Sequence, residues 1–331
     1  MNNNMNTNMI KLSPDGISGR QIDKNTKFYN YLLKTVNYNY NYKNRGLDTY
    51  PAAQPVSIEK KDIVKLNTYD YNVGLKLDGV RYLLLLIQDN YNINYSILIN
   101  RSLEFYIIDL NLQCNDLYSN ISILDGELCN NEFIIHDSVI INGVKIRNMD
   151  HTTRLSHVAD NIVNINNNNE LFIIKVKTFY KYSEFENFIS MEYNKNNKKD
   201  GIIFMPNKLN VMSGTQYSLF KWKPLKQHTF DFLIKENNNN LQAFVYHLKN
   251  ITLFAEIHYN TDNGKIFIDK AKNLDSYKNE CILECYYEDE NFHPLLVRTD
   301  KKHANSLRTI ERTLFNIKED IQLKDFEPEI N

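Results

Sequence analysis

The pattern of apolar and polar positions predicts a mixture of helices and short strands over most of the chain. Phe28, Leu32 and Val36 recur at helical spacing and predict a helix over residues 22–37. From residue 71 onward, short apolar runs separated by polar turns are typical of an antiparallel sheet. The predicted strands are VGLKL, RYLLLLI, NYSILIN and FYIID, then 121–124, 133–141, 172–176 and 201–205, with further helices at 59–66, 152–163 and 182–194. This mixture predicts an α+β fold, and the polar residues 1–20 are expected to be loose.

The last third of the chain has a different pattern, in which strand candidates dominate. Residues 224–230 (PLKQHTF) predict a hinge, and FDFLIK, AFVYHL, LFAEIHY, KIFID and CILECYY follow as strand candidates. Their number and even spacing favour a five-stranded barrel of the OB type, with a charged helix near 303–318. We therefore predict two domains, residues 1–228 and residues 229–331.

Composition excludes several classes of protein. Hydrophobic residues make up 42% and aromatic residues 12% of the 331 residues, which excludes a mainly disordered chain. The net charge of -1 argues against a broad duplex-DNA surface, so a nucleic acid would be gripped at one end or by a few lysines. Four cysteines do not make a disulfide framework, and neither a signal peptide nor a membrane span is evident. We expect an intracellular protein that is not secreted.

The hexapeptide KLDGVR, which begins at Lys76, is the first candidate for chemistry. Lys76 ends an apolar strand, Asp78 follows two residues later on the same side, and Arg81 opens the next strand. Taken alone, this pattern more often marks a structural salt bridge at a strand end. The functional interpretation is a nucleophilic amine, which needs its proton removed with the help of nearby lysines and a bound metal.

Five further motifs follow in order and favour the functional interpretation. DGEL, with Glu127, offers a carboxylate for Mg²⁺ after an apolar strand, and FIIHD is a strand that ends in a ring, His136, and an acid. DGIIF repeats the acid-glycine-strand pattern at Asp200. KWKP puts Lys221 and Lys223 on one face of a strand, and RTDK carries Arg298, Asp300 and Lys301. Each motif is weak alone, but the ordered series predicts a covalent lysine.

With these motifs in this order, the chain resembles the messenger-RNA capping enzymes, specifically the guanylyltransferases. That family shares a superfamily with the ATP-dependent DNA and RNA ligases. KLDGVR looks like the motif of the covalent lysine, and RTDKKHANS looks like the last motif, on the OB domain. The segment YPAAQPVSI is similar to the lead into the capping lysine, so the resemblance covers residues 50–310. KWKP and RxDKxxxN favour capping enzymes over ligases.

The resemblance implies a fold, a reaction and a role for each matched residue. The fold is an antiparallel-sheet nucleotidyltransferase domain followed by a C-terminal OB-fold domain. Lys76 would take GMP from GTP, release pyrophosphate and pass GMP to the 5′-diphosphate end of RNA. Asp78, Arg81 and Arg101 would bind the nucleotide, with Arg101 in the strand NRSLEF. Glu127 and Asp200 would hold Mg²⁺ or Mn²⁺. Lys177, with Lys175 as a weaker candidate, would contact guanine, and Lys221 and Lys223 would contact the α-phosphate. The residues that would close over the β- and γ-phosphates are Arg298, Asp300 and Lys301.

One position departs from the family pattern, and some alternatives stay open. The family usually has Phe or Tyr where this chain has His136, so either His136 or a neighbour such as Phe133 stacks on the guanine. The two rival functions are that of an ATP-dependent ligase and that of an inactive scaffold. A separate RNA triphosphatase and a separate cap methyltransferase are expected. The compact type is similar to the enzymes of large DNA viruses, or of a protist or plasmid, which would place it in the cytoplasm (a viral factory) or the nucleus.

Overall fold

The computed structural model describes residues 9–13, 16–41, 49–110, 112, 114–162, 172–196, 199–237, 240–299 and 301–328. The chain divides into two compact units. The first unit contains residues up to 58, residues 62–222 and the residues from 327 onward, and the second contains residues 59–61 and 223–326. The division thus follows Trp222, whereas the sequence analysis puts the boundary after residue 228.

A large sheet forms the centre of the first unit. In the described residues its strand order is β1-β2-β7-β6-β5-β8-β9-β10, and β11 also pairs with β9, in parallel. Leu84 and Leu86 of β5 pack into one apolar cluster, while Leu83 and Leu85 pack into another. The run RYLLLLI is continuous because both faces of this strand are covered. The strands are β1 (Met9–Lys11), β2 (Ser18–Gln21), β5 (Val80–Gln88), β6 (Asn94–Ile99), β7 (Phe105–Ile108), β8 (Ser122–Cys129), β9 (Glu132–Ile141), β10 (Val144–Lys145) and β11 (Ile173–Val176).

A second, smaller sheet in the same unit carries the lysine of the first motif. Its order is β12-β4-β13-β14-β3, and β4 runs through the Asp78–Gly79 turn directly into β5 of the large sheet. Lys76, near the end of β4, therefore lies where one sheet passes into the other. The strands are β3 (Ala53–Ser57), β4 (Tyr71–Leu77), β12 (Tyr180–Lys181), β13 (Lys199–Pro206) and β14 (Gly214–Trp222).

Short helices cover the sheets of the first unit. The first helix begins after Thr26, whose hydroxyl accepts a hydrogen bond from the backbone N–H of Tyr29, so it starts five residues later than the prediction at residue 22. The predicted helix at 182–194 is a 3-10 turn followed by a short α-helix and a π-helix, Ile189–Tyr193. The α-helices are α1 (Lys27–Asn39), α2 (Ile63–Thr68), α3 (Asn115–Ser119), α4 (His151–Ile162) and α5 (Phe185–Phe188).

Two predictions about the first unit need comment. Of the residues 1–20 that are expected to be loose, residues 1–8 lie outside the described residues, while β1 and β2 pair with each other and β2 pairs with β7, which buries Leu12 in the core. Arg101 does not lie in a strand. It lies in the turn between β6 and β7, where the chain reverses direction.

The second unit is built on one antiparallel sheet, in the order β17-β16-β15-β18-β19. Phe230, Phe232 and Ile234 of β15 pack in its core against Phe267 and Ile268. The α+β class and the antiparallel sheets are confirmed, but in the described residues the outer strands β17 and β19 do not pair, so no closed barrel forms. The elements are β15 (Thr229–Asn237), β16 (Asn240–His247), β17 (Asn250–Ile257), α6 (Asp262–Lys272), β18 (Glu280–Glu288), β19 (Asn291–Val297) and α7 (Leu307–Glu319).

One of the five predicted strands of this unit is wrong. KIFID lies in α6, which begins after Thr261, whose hydroxyl accepts a hydrogen bond from Gly264 N–H. The fifth strand is β19, NFHPLLV, which the sequence analysis did not propose. Elsewhere, all four cysteines are free thiols, as expected. No helix in the described part of the chain is long and apolar enough to cross a membrane.

Candidate active site

Lys76 forms an ion pair with Asp200, across the β4–β13 pairing. The two strands are in register at Lys199↔Leu77 and again at Gly201↔Lys76, so Asp200 is the extra residue of a β-bulge. Gly201 has φ +131°, a conformation that favours glycine. The bulge turns the Asp200 carboxylate towards the Lys76 ammonium, and both side chains are largely shielded from solvent, with 15% and 19% exposed.

Arg81, Asp125 and His136 form one network that links three of the predicted motifs. Arg81 donates from Nε to Asp125 Oδ1 at 2.9 Å and from Nη2 to Asp125 Oδ2 at 2.6 Å. His136 Nε2 lies 3.3 Å from Asp125 Oδ1. Burial opposes ionisation of Asp125, but the Arg81 and His136 contacts overcome it and hold the pKa of this carboxyl well below its usual range. His136 is not at a strand end, as predicted, but in the middle of β9.

Glu127 and Lys177 bring a second pair of buried charges to the region of Lys76. Glu127 lies two residues after Asp125 on β8 and so shares its face. Its Oε2 is buried and has no hydrogen-bond partner among the described residues. Lys177 follows β11, and burial lowers the pKa of its ammonium, with the nearby Glu127 charge opposing and the Lys76 charge adding to that effect. Lys177 therefore interacts electrostatically with both Glu127 and Lys76.

The other predicted residues of the first unit are spread around this group. Asp78 is exposed in the turn after β4. Burial and the nearby Arg81 charge lower the pKa of Arg101 from its ordinary value, while the charges of Asp125 and Glu127 oppose this effect. Lys221 lies opposite Ile203 near the end of β14. Lys223 is beyond the last residue of β14, so the two lysines do not share a strand face as predicted.

The predicted phosphate-closing residues of the second unit are held by acidic side chains. Arg298 Nη1 donates to Glu284 Oε2 at 3.0 Å and lies 3.5 Å from Asp231 Oδ1. Lys301 forms an ion pair with the same Asp231. The structure thus brings Arg298 and Lys301 together, while Asp300 lies outside the described residues. Asp231 was missed in the sequence, although an acid inside the apolar strand FDFLIK was a usable signal.

His151, which the sequence analysis did not single out, fixes the backbone beside His136. Its Nε2 lies 3.0 Å from the carbonyl oxygen of His136, and its Nδ1 lies 3.2 Å from Asn72 Nδ2. Burial lowers the pKa of His151 from 6.5 to about 4. The neutral ring therefore donates from Nε2 to His136 and accepts at Nδ1 from Asn72, which ties α4 to both β9 and β4. Only the fold reveals this role, because the three residues are far apart in sequence.

Two carboxylates in this region fit a divalent metal bound together with a nucleotide. Glu127 has the unpartnered buried oxygen, and Asp200 is the residue on the bulge. The described residues contain no group of three or more His, Cys, Asp or Glu side chains that could hold a metal ion. Mg²⁺ is commonly held by one or two carboxylates plus substrate phosphates, so Glu127 and Asp200 suit that mode and not a closed protein cage.

Comparisons with known proteins identify the family to which the chain is similar. The family model "mRNA capping enzyme, catalytic domain" matches residues 14–225, and "mRNA capping enzyme, C-terminal domain" matches residues 206–326. The mRNA-capping enzyme subunit alpha of Schizosaccharomyces pombe is 27% identical over 320 residues, which covers 84% of this chain and 79% of that protein. The mRNA-capping enzyme of Mus musculus is 26% identical and covers 78% of this chain, which spans 46% of the mouse protein's length.

Among solved structures, the ATP-dependent DNA ligase from bacteriophage T7 in complex with ATP matches with a TM-score of 0.40 and 12% identity, over 77% of this chain and 97% of that chain. The predicted family and the predicted enzyme class, a GTP:RNA guanylyltransferase, are confirmed by the two family models and the curated relatives. The chain belongs to the mRNA capping enzyme family.

Proposed function

We propose that this chain is an mRNA guanylyltransferase that carries GMP on Lys76 from GTP to the 5′-diphosphate end of RNA. The observation that carries the assignment to Lys76 is its pairing with Asp200 beside Lys177 and Glu127. A shielded lysine with an adjacent carboxylate has both the nucleophile and an acceptor for its proton.

In the first step, the Lys76 nitrogen attacks the α-phosphorus of GTP. A P–N bond forms, the bond from the α-phosphorus to the bridging oxygen breaks, and pyrophosphate leaves. Asp200 is the partner of Lys76 and is the residue that we propose takes its proton. In the second step, an oxygen of the RNA 5′-diphosphate attacks the same phosphorus, the P–N bond breaks, and the amine is restored as the cap forms.

Catalysis of both steps depends mainly on positioning and on neutralisation of phosphate charge. Mg²⁺ or Mn²⁺, held by Glu127 and Asp200, would add positive charge at the phosphates. Lys221 and Lys223 would contact the α-phosphate, and Asp78, Arg81 and Arg101 the rest of the nucleotide. Because Arg81 is already bound bidentately to Asp125, its contribution is to hold the network in which His136 lies.

The second unit would take part in the first step through Arg298, Asp300 and Lys301. Arg298 and Lys301 are held by Asp231 and Glu284, so binding of the β- and γ-phosphates requires these cations to exchange carboxylate for phosphate. Such an exchange is reversible, which suits residues that act in the first step and withdraw before RNA binds.

The reaction needs RNA with a 5′-diphosphate end and yields an unmethylated cap. We expect an RNA triphosphatase and a cap methyltransferase on separate polypeptides to act before and after this enzyme. The named relatives come from eukaryotes, and the resemblance to compact viral enzymes is an expectation from composition. A location in the cytoplasm or the nucleus follows the same expectation.

Labelling with nucleotides tests the proposed function. The protein is incubated with Mg²⁺ and either α-labelled GTP or α-labelled ATP, and covalent label is measured after denaturation. We expect label from GTP, and we expect it to move to 5′-diphosphate RNA but not to 5′-hydroxyl RNA of the same sequence. Label from ATP alone would assign the chain to the ligases, and absence of label from both nucleotides would leave only a scaffold role.

A further inference from the structure

Lys177 is a buried cation without a direct partner. The residue is 7% exposed, and in the described part of the chain its ammonium makes no hydrogen bond and no ion pair. The centroid of the Phe179 ring lies 5.6 Å from its Nζ. An ammonium on a largely buried residue has little water to accept hydrogen bonds from its N–H groups, so a ligand that supplied acceptors would stabilise it.

Glu192 has the complementary deficiency. Its Oε2 is buried and accepts no hydrogen bond from the described residues. Burial raises the pKa of this carboxyl, and the charge that opposes the rise is that of Lys177. Glu192 and Lys177 thus influence each other electrostatically, and in the described residues they form no ion pair. A ligand that offered an acceptor to Lys177 and donors to Glu192 would satisfy both groups.

Glu192 lies in the π-helix Ile189–Tyr193, next to a residue that contacts the strand of Asp200. Tyr193, the next residue, is buried, and its ring lies 4.6 Å from Lys199 Nζ and 6.5 Å from the ring of Trp222. Lys199 directly precedes Asp200, the partner of Lys76. Tyr193 therefore anchors the π-helix to the strand that carries the acid of the site. π-helical turns insert an extra residue and are frequent at functional sites.

We propose that Glu192 is a specificity-determining residue for the purine base, with its carboxylate accepting hydrogen bonds from N1–H and N2–H of guanine while Lys177 donates to O6. This inference rests on the proposed function and adds a residue that the sequence motifs do not include. Guanine has an acceptor at O6 and donors at N1 and N2. Adenine has a donor amino group at position 6 and an acceptor at N1.

Adenine in the same position would set a donor against the ammonium and an acceptor against the carboxylate. Both protein groups would then stay unpaired in a buried place, which is the arrangement that gives strong discrimination. Inosine is the informative intermediate, because it keeps O6 and N1–H and lacks only the 2-amino group. GTP against ITP therefore isolates the contact of Glu192 with the 2-amino group, while ITP against ATP changes N1 and position 6 together.

The test is the kcat/KM of covalent nucleotide transfer to the protein, measured with GTP, ITP and ATP. For the unaltered chain we expect GTP to exceed ITP by about tenfold, the effect of about one lost hydrogen bond to a charged group. Glu192→Ala is expected to lower the GTP value by about 100-fold and to bring the GTP/ITP ratio close to one. Glu192→Gln, which can still accept one hydrogen bond, is expected to fall between them.

The matched control is Glu186→Ala, which removes an exposed carboxylate six residues earlier, in α5. It should leave all three values unchanged. Because a ratio of substrates does not depend on the active fraction, poor folding of a variant cannot produce the expected change. An unaltered GTP/ITP ratio in Glu192→Ala would overturn the inference while the labelled adduct still supported the proposed function. Absence of any GTP adduct from the unaltered chain would instead overturn the proposed function.

Discussion

Among single residues, His136 is the one whose chemistry departs from the family pattern. Its imidazole Nε2 contacts Asp125, and its Nδ1 is buried without a hydrogen-bond partner among the described residues. Asp125 also receives two hydrogen bonds from Arg81, which would remain if the histidine moved. We expect the His136 ring to stack on the base, with a smaller face than that of Phe or Tyr.

Substitution of His136 separates stacking from hydrogen bonding. His136→Ala is expected to raise the KM for GTP about tenfold, because base stacking on an aromatic ring contributes about 1–3 kcal/mol. His136→Phe keeps a ring and should hold the KM near the original value, although the contact with Asp125 is lost. Steady-state rates of adduct formation at several GTP concentrations give the KM of both variants. A Phe variant as defective as the Ala variant would show that the Asp125 contact matters and the ring face does not.

The sequence identifies residues that act through local motifs better than residues that act through burial. Lys76 and Asp200 each stand in a recognisable local pattern, and the fold brings them together. Glu192 and His151 stand in no such pattern. Their properties come from burial and from partners far along the chain, such as Lys177 and His136, and neither quantity can be read from local spacing.

Among the elements, strand β13 is distinguished by its bulge at Asp200. The backbone at Gly201 has φ +131°, where a side chain is strained. Gly201→Ala is expected to cost about 1–2 kcal/mol of unfolding free energy and to displace Asp200 from Lys76. Chemical denaturation and the rate of GMP adduct formation measure the two effects, and we expect the rate to fall at least tenfold, about 1.4 kcal/mol in the barrier.

Gly214→Ala provides the matched control for this prediction. Gly214 also has a positive φ, +82°, but it lies at the start of β14 and not beside Lys76 and Asp200. Its substitution should cost similar stability and leave the adduct rate of the folded protein unchanged. Equal rate losses in the two variants would mean that instability, and not the position of Asp200, lowers the rate.

The junction of α4 with β9 should respond to pH through His151. Its pKa is lowered from 6.5 to about 4 by burial, so between these values the unfolded chain binds a proton that the folded chain does not. Stability is therefore lost as the pH falls from about 6.5 to about 4, by about 3 kcal/mol in total. Urea unfolding of wild type and His151→Gln at several pH values should show this extra loss in wild type only.

His157→Gln, on the same helix, is the control for the pH effect. His157 is half-buried and has no part in the junction, so its variant should follow the wild-type pH dependence. If the free energies of unfolding of His151→Gln and wild type ran parallel from pH 7 to pH 4, a neutral buried His151 would be excluded.

The helix α6 and the strand β19 show why parts of the second unit were not predicted. In α6, the adjacent apolar residues Ile266, Phe267 and Ile268 match a strand, although Phe267, Ile268 and Ala271 share the buried side of a helix. Such short apolar runs are ambiguous until packing selects a face. In β19, Pro294 lowers the strand signal, yet it lies at an irregularity of the β18–β19 pairing where a proline is tolerated.

For the whole molecule, the proposed division of labour assigns Arg298 of the second unit to the first chemical step. Arg298→Ala is expected to slow GMP adduct formation by about 10- to 100-fold, because a cation that neutralises the departing pyrophosphate is lost. Transfer of GMP from a preformed adduct to RNA should change much less. Single-turnover measurements separate the two steps, and Arg308→Ala, an exposed arginine on α7, serves as the control. Adduct formation at the normal rate would remove Arg298 from the first step.

The central claim is that Lys76 itself carries the nucleotide, and peptide mapping of the adduct tests it most directly. The protein is labelled with GTP, digested, and the modified residue is located by mass spectrometry under conditions that preserve the P–N bond. The account predicts one GMP group on the peptide that contains Lys76 and no adduct on Lys76→Arg. A GMP group on any other residue, or a Lys76→Arg variant that labels like wild type, would contradict it.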